Sequence, residues 1–242
     1  MATVMTGVRT VYETTIGKKA IMAITGFIYV AFVIGHMVGN LKIFLGQEVL
    51  NQYAGFLRTV GEPLFPATFL LWIARIILLV AIVLHIWMAY QLTRADLAAR
   101  PVKYNTKHVV QATFASMTMR WGGIALLLFI IFHLLHFTFG VVGYGPPGSA
   151  TAYIPEDPQK GFSTAQNVIT GFQNIWVSII YIVAMVALAL HLYHGAWSMF
   201  QTLGLNNTRY NGLWRFVATA IAVVVFVGNV SIPLAVITGI LR

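Results

Sequence analysis

Cysteine is absent from the chain. That excludes disulfides, thiolate-held iron–sulfur clusters and covalent C-x-x-C-H haem attachment. A metal carried here must be held by histidine, and iron–sulfur chemistry would have to come from another subunit. Charge is scarce too: Asp, Glu, Lys and Arg make up 9% of the 242 residues, against about 25% in a soluble domain. Acidic residues are scarcest, six against fifteen Lys and Arg, and none falls within a long apolar run. With 59% hydrophobic residues, those runs are read as membrane spans and not as a water-soluble core. The net charge of +9 then reflects basic loops facing anionic lipid, not nucleic acid. The segment before the first run, Met1 to Lys19, has no apolar core, and no short h-region with a small-residue cleavage site follows, so no removable signal peptide is expected.

Five spans are expected, at about 20–45, 67–92, 121–142, 172–200 and 216–241, each longer than the ~20 residues that cross ~30 Å of hydrocarbon. Span II follows Pro63 and Pro66 and is broken only by Arg75; span V has Pro233 near its end. The predicted fold is all-α: an integral membrane bundle of five transmembrane helices in a single membrane domain, 1–242, with no internal repeat. Loop charge orients it. Arg9, Lys18 and Lys19 precede span I; Arg94, Arg100, Lys103, Lys107 and Arg120 oppose Asp96 between spans II and III; Arg209 and Arg215 lie between IV and V. The alternate loops balance Arg58 against Glu48 and Glu62, and Lys160 against Glu156 and Asp157. The positive-inside rule then predicts a cytoplasmic N-terminus and an extracytoplasmic C-terminus. The loop from Gly143 to Gly171 reads as long and irregular, capping the outer face.

Four spans carry histidine in apolar surroundings, where a polar ring needs a partner. His36, flanked by Gly35 and Gly39, lies 16 residues into span I and His133 lies 12 into span III; both fall in the outer half. His85 and His191 lie about 18 to 19 residues into spans that run the other way, so both fall in the inner half. At ~1.5 Å per residue the two levels differ by roughly 10–15 Å. Two histidines at each level, on four helices, suit two bis-histidine b-type haems stacked across the membrane between spans I to IV. A lone intramembrane histidine is also often just hydrogen-bonded to a neighbouring helix. A four-histidine zinc site would need one level, and a proton-relay transporter would usually show intramembrane carboxylates. Gly26 and Gly123 each precede a histidine by ten residues. They reach the depth of the inner haem, where they could clear space for its porphyrin or serve helix packing. At the same offset before His85 and His191 stand Arg75 and Tyr181, at the level of the outer haem. No carboxylate in a span can pair with Arg75, so a propionate of that haem is its nearest anion; snorkelling outward is the alternative.

Several motifs then appear in order: Thr15-Ile-Gly-Lys-Lys19, Thr25-Gly26, Gly35-His36-Met-Val-Gly-Asn40, His85, Gly123 with His133, His191-Leu-Tyr-His-Gly-Ala-Trp-Ser198 and Gln201-Thr-Leu-Gly-Leu-Asn206. Together they resemble the dihaem cytochrome b subunit (b558 type) of bacterial succinate dehydrogenase/fumarate reductase. The resemblance runs through spans I to IV and is weakest in the III–IV loop. It implies a membrane anchor in the bacterial cell membrane for a flavoprotein and an iron–sulfur subunit on the cytoplasmic side. Electrons would pass between succinate/fumarate chemistry and a membrane quinone, usually menaquinone in this type. Spacing alone cannot choose within the i,i+3 pairs His133/His136 and His191/His194; the resemblance implies His133 and His191 as ligands. His136 and His194 could donate to haem propionates or be spare polar residues near helix ends. His108 reads as a solvated loop residue, and Glu62 as a loop charge or a proton acceptor for quinol. The dihaem subunit of a nitrate reductase, hydrogenase or formate dehydrogenase, and a histidine-relay transporter, are the other readings.

Overall fold

The computed structural model describes residues 12–99, 114–157 and 161–242. Among them the chain forms helices and turns, with two isolated β-bridges and no strand. Thr14 opens the first span: its hydroxyl accepts from the Gly17 amide at 3.0 Å, satisfying one of the N–H groups that a helix start leaves free. Helix α1 runs Thr15–Asn40 and tightens into a 3-10 turn, Leu41–Leu45. Gly46, at φ 131°, redirects the chain as only glycine does without strain. Then follow α2 (Gln47–Thr59), α3 (Phe69–Ala98), α4 (Phe114–His133), α5 (Thr164–Gln173), α6 (Ile175–Thr202) and α7 (Asn211–Ile237). A π-helical turn, Leu134–Thr138, extends α4.

Helices α1, α3, α4, α6 and α7 are long and apolar enough to cross a membrane. All five expected spans are present, but α1, α4 and α7 begin before the expected residues and α3 ends after them. Hydropathy fades at the membrane surface, whereas the backbone hydrogen-bond ladder continues through polar helix formers. Asp96 therefore lies in the last turns of α3, where Arg120 of α4 meets it at 3.3 Å, both exposed.

The 143–171 connection is not irregular throughout, which corrects the expectation: it contains most of α5. Helix α2 buries Leu50 and Ala54, and α5 buries Ala165, Ile169 and Phe172. Leu50, Ala165, Ile169 and Phe172 share a core with Tyr181 of α6 and with Ile232 and Val236 of α7. Asn51 of α2 accepts from the Ala165 amide at 2.9 Å, and the Arg58 guanidinium lies 4.4 Å from the Phe162 ring centre. The two short helices thus close one end of the bundle. The chain ends there too, since Gln47 donates to the Arg242 carbonyl at 2.6 Å. Tyr12 sits at the opposite, basic end, its hydroxyl accepting from Trp87 and Gln91. Arg9, Arg100, Lys103, Lys107 and Lys160 lie outside the described residues.

Helix α6 is central, packing on α1, α4 and α7, while α1 packs on α3, α6 and α7. Of the most hydrophobic stretch of each span, 39% is buried in α7 but only 6% in α3 and 11% in α4. Among the described residues no packed interface joins α3 to α4 or to α6. The pairs α1/α3 and α4/α6 therefore meet along α1 and α6 and stand apart elsewhere. The four expected histidines face one another across that separation.

Candidate cofactor site

His36 of α1 and His133 of α4 have ring centres 5.8 Å apart, with planes at 86°. His85 of α3 and His191 of α6 have ring centres 6.3 Å apart, at 54°. A metal ion bound to two imidazoles at ~2 Å each would hold the ring centres roughly 6 Å apart. His36 is exposed and the other three are half-buried, so the rings line open space and are not packed away. Among the described residues no group of three or more His, Cys, Asp or Glu could hold a metal ion, so the geometry offers two pairs and no four-histidine zinc cluster.

The second ring nitrogen decides which atom is free. Nδ1 of His85 lies 3.1 Å from the Thr25 hydroxyl, which itself donates to the Ile21 carbonyl at 2.8 Å. Thr25 therefore accepts from His85 Nδ1–H, and Nε2 is left as the lone-pair nitrogen. Nδ1 of His133 lies 3.0 Å from the Tyr181 hydroxyl, so Nε2 is the nitrogen outside that contact. Thr25 appeared in the sequence only as part of a motif. Its signal was a hydroxyl beside Gly26, at the depth of His85.

A Cβ on Gly26 would lie 3.5 Å from His85 Cε1, and one on Gly123 3.9 Å from His191 Cε1. Both glycines sit at the level of the His85/His191 pair. These are ordinary contacts, so the imidazoles alone do not require glycine; the room gained lies beside the rings. Arg75 is exposed on α3, its guanidinium 5.0 Å from the Trp72 ring centre. It reaches toward the capped end, as a snorkelling side chain does.

His136 has different surroundings from His133. It lies in the π turn and is 0% exposed, with ring centres 4.0 Å from Phe137 and 4.9 Å from Tyr144. Its Nδ1 also lies 3.0 Å from the Tyr181 hydroxyl. Tyr144 donates to the Asn167 carbonyl at 3.0 Å. Burial, with Tyr153 nearby, holds its hydroxyl above the ordinary tyrosine range, so it stays a neutral donor. His194 is half-buried against Trp197, ring centres 6.5 Å apart, and its Nδ1 has no partner among the described residues. Glu62 is exposed in the turn between α2 and α3. His108 lies outside the described residues.

The family model described as "succinate dehydrogenase/fumarate reductase transmembrane subunit" matches residues 98–228, over half of the chain. The chain belongs to this family. It is a multi-pass membrane subunit of the succinate dehydrogenase/fumarate reductase complex, whose other subunits are its partners. No curated protein and no solved structure matches it. The matched part of this succinate dehydrogenase/fumarate reductase subunit contains Gly123, His133, His136, His191 and His194. His36 and His85 lie before it, and their connection to the site comes from the facing rings.

Proposed function

We propose that the subunit is a dihaem cytochrome b of the b558 type. It anchors the complex and transfers electrons between the iron–sulfur subunit and membrane quinone, menaquinone being the expected species. The supporting observation is the two facing histidine pairs, 5.8 and 6.3 Å between ring centres, each bridging helices that are not packed together. His36 and His133 hold one haem b, the outer; His85 and His191 hold the inner. Held by these histidine pairs, each haem would supply one-electron transfer and would not bind oxygen or substrate. Thr25 and Tyr181 orient one imidazole of each pair. Gly26 and Gly123 leave room at the inner level. Quinone binds beside a haem and not on its iron. The basic end faces the bacterial cytoplasm, where flavoprotein and iron–sulfur subunits dock and anionic lipid is close.

The test is purification of the intact complex. Two protohaems per copy of this chain are expected, with two components in a reduced-minus-oxidised redox titration and succinate-reducible absorbance. A complex that co-purifies with its flavoprotein but contains no haem would overturn the reading.

A further inference from the structure

Tyr181 has one hydroxyl proton and two imidazole neighbours, His133 Nδ1 and His136 Nδ1, each 3.0 Å away. With a single hydroxyl proton, at least one imidazole must donate to the hydroxyl oxygen, and the hydroxyl is fully used when it donates to the other. We infer that Tyr181 and His136 are positioning residues for the His133 ligand, ordered His133 Nδ1–H to Tyr181 Oη and Tyr181 Oη–H to His136 Nδ1. This rests on the reading of His36 and His133 as a haem pair. A ligating nitrogen carries no proton. Since Nδ1 of His133 is engaged by Tyr181, ligation falls to Nε2 and the proton stays on Nδ1. The hydroxyl proton is then directed to His136, which holds its own proton on Nε2.

The support is rigid. A Cβ on Gly171 would lie 2.5 Å from His136 Nε2, and one on Gly143 2.9 Å from Cδ2, so two backbone segments pin the ring. Tyr181 is 7% exposed and stands edge-on to Phe172 and Phe129, ring centres 4.9 and 5.0 Å away. His136 Nε2 is buried with no partner among the described residues. An unpaired buried N–H is costly, and the need for an acceptor at Nδ1 accounts for a histidine there. The other pair is braced differently: Thr25 passes its bond to the backbone of its own helix. An acceptor on Nδ1–H makes a ligating imidazole more basic and favours the oxidised metal. Its removal favours the reduced form.

The experiment uses the intact complex. Tyr181→Phe should keep both haems, raise the midpoint potential of the component that His36→Ala removes, and shift that component's low-spin ferric EPR signal. The other component should not move. His136→Gln offers an amide oxygen to Tyr181 and should stay near wild type; His136→Leu should shift the same component, by less than Tyr181→Phe. The inference is overturned if Tyr181→Phe leaves that component unchanged at full haem content, or moves only the other one. Should Tyr181→Phe fail to assemble, equal potentials in His136→Gln and His136→Leu overturn it. A wild-type complex lacking two bis-histidine signals fails the underlying reading instead, before any variant is compared.

Discussion

Each paired imidazole reaches its opposite from a different helix, so the pairs can be told apart by substitution. His36→Ala and His133→Ala should each remove the same spectral component, and His85→Ala and His191→Ala the other. A redox titration of assembled variants in which His36→Ala and His85→Ala lose the same component would contradict the pairing. Arg75 poses a question of magnitude. A charge deep in a span costs ~2.5–3.5 kcal/mol even on the lenient insertion scale. Trp72, 5.0 Å away, returns ~0.5–1 kcal/mol at an exposed site, and the reach toward the capped end lowers the cost further. With the proposed outer haem bound, its propionate is the anion that would offset the rest. A positive charge there favours the reduced form, so Arg75→Gln should lower the midpoint potential of the His36/His133 component and spare the other. An unchanged titration would leave Arg75 on Trp72 and at the membrane surface.

At the scale of the helix, legibility depended on length and hydropathy. The five spans and the levels of their histidines could be read from the sequence, because apolar runs must be long and the rise per residue is fixed. Helices α2 and α5 could not be read that way. Each is short and interleaves its buried apolar residues, Leu50 with Ala54 and Ala165 with Ile169, with polar ones, so neither stands out on hydropathy. The π turn at Leu134–Thr138 has no local code either; π-bulges occur inside α-helices and often at functional sites. It separates His133 from His136, which i,i+3 spacing left equivalent, and brings both nitrogens to Tyr181. Gly171 holds this arrangement from α5. A Cβ there would meet His136 Nε2 at 2.5 Å, and Tyr144 and Phe137 leave the ring little room to retreat. Overpacking of this kind costs ~1–3 kcal/mol. Gly171→Ala should therefore lower the thermal midpoint of the detergent-solubilised complex. Gly212→Ala, with nothing within 4 Å of its Cβ, should not. Equal midpoints would mean that the cage yields.

Across the whole molecule the two ends differ in chemistry, and that difference carries the orientation. Lys18, Lys19, Arg94, Arg120, Arg209 and Arg215 belong to the end where α1, α4 and α7 start and α3 stops. The other end, closed by α2 and α5, carries Glu48, Glu62, Glu156 and Asp157 with Lys42, Arg58 and Arg242. Short basic connections are retained on the cytoplasmic side. The basic end should therefore be cytoplasmic, with the His85/His191 level nearer to it and the His36/His133 level nearer the cap. The chain ends under the cap, where Gln47 holds the Arg242 carbonyl. A reporter fused after Arg242 should read extracytoplasmic, and one inserted between Arg100 and Lys107 cytoplasmic. If both read the same side, the number of crossings is wrong and the matched levels lose their basis. If both are reversed, the five crossings stand. The His36/His133 pair would then be nearest the cytoplasmic partners, and the roles assigned to the two haems would exchange.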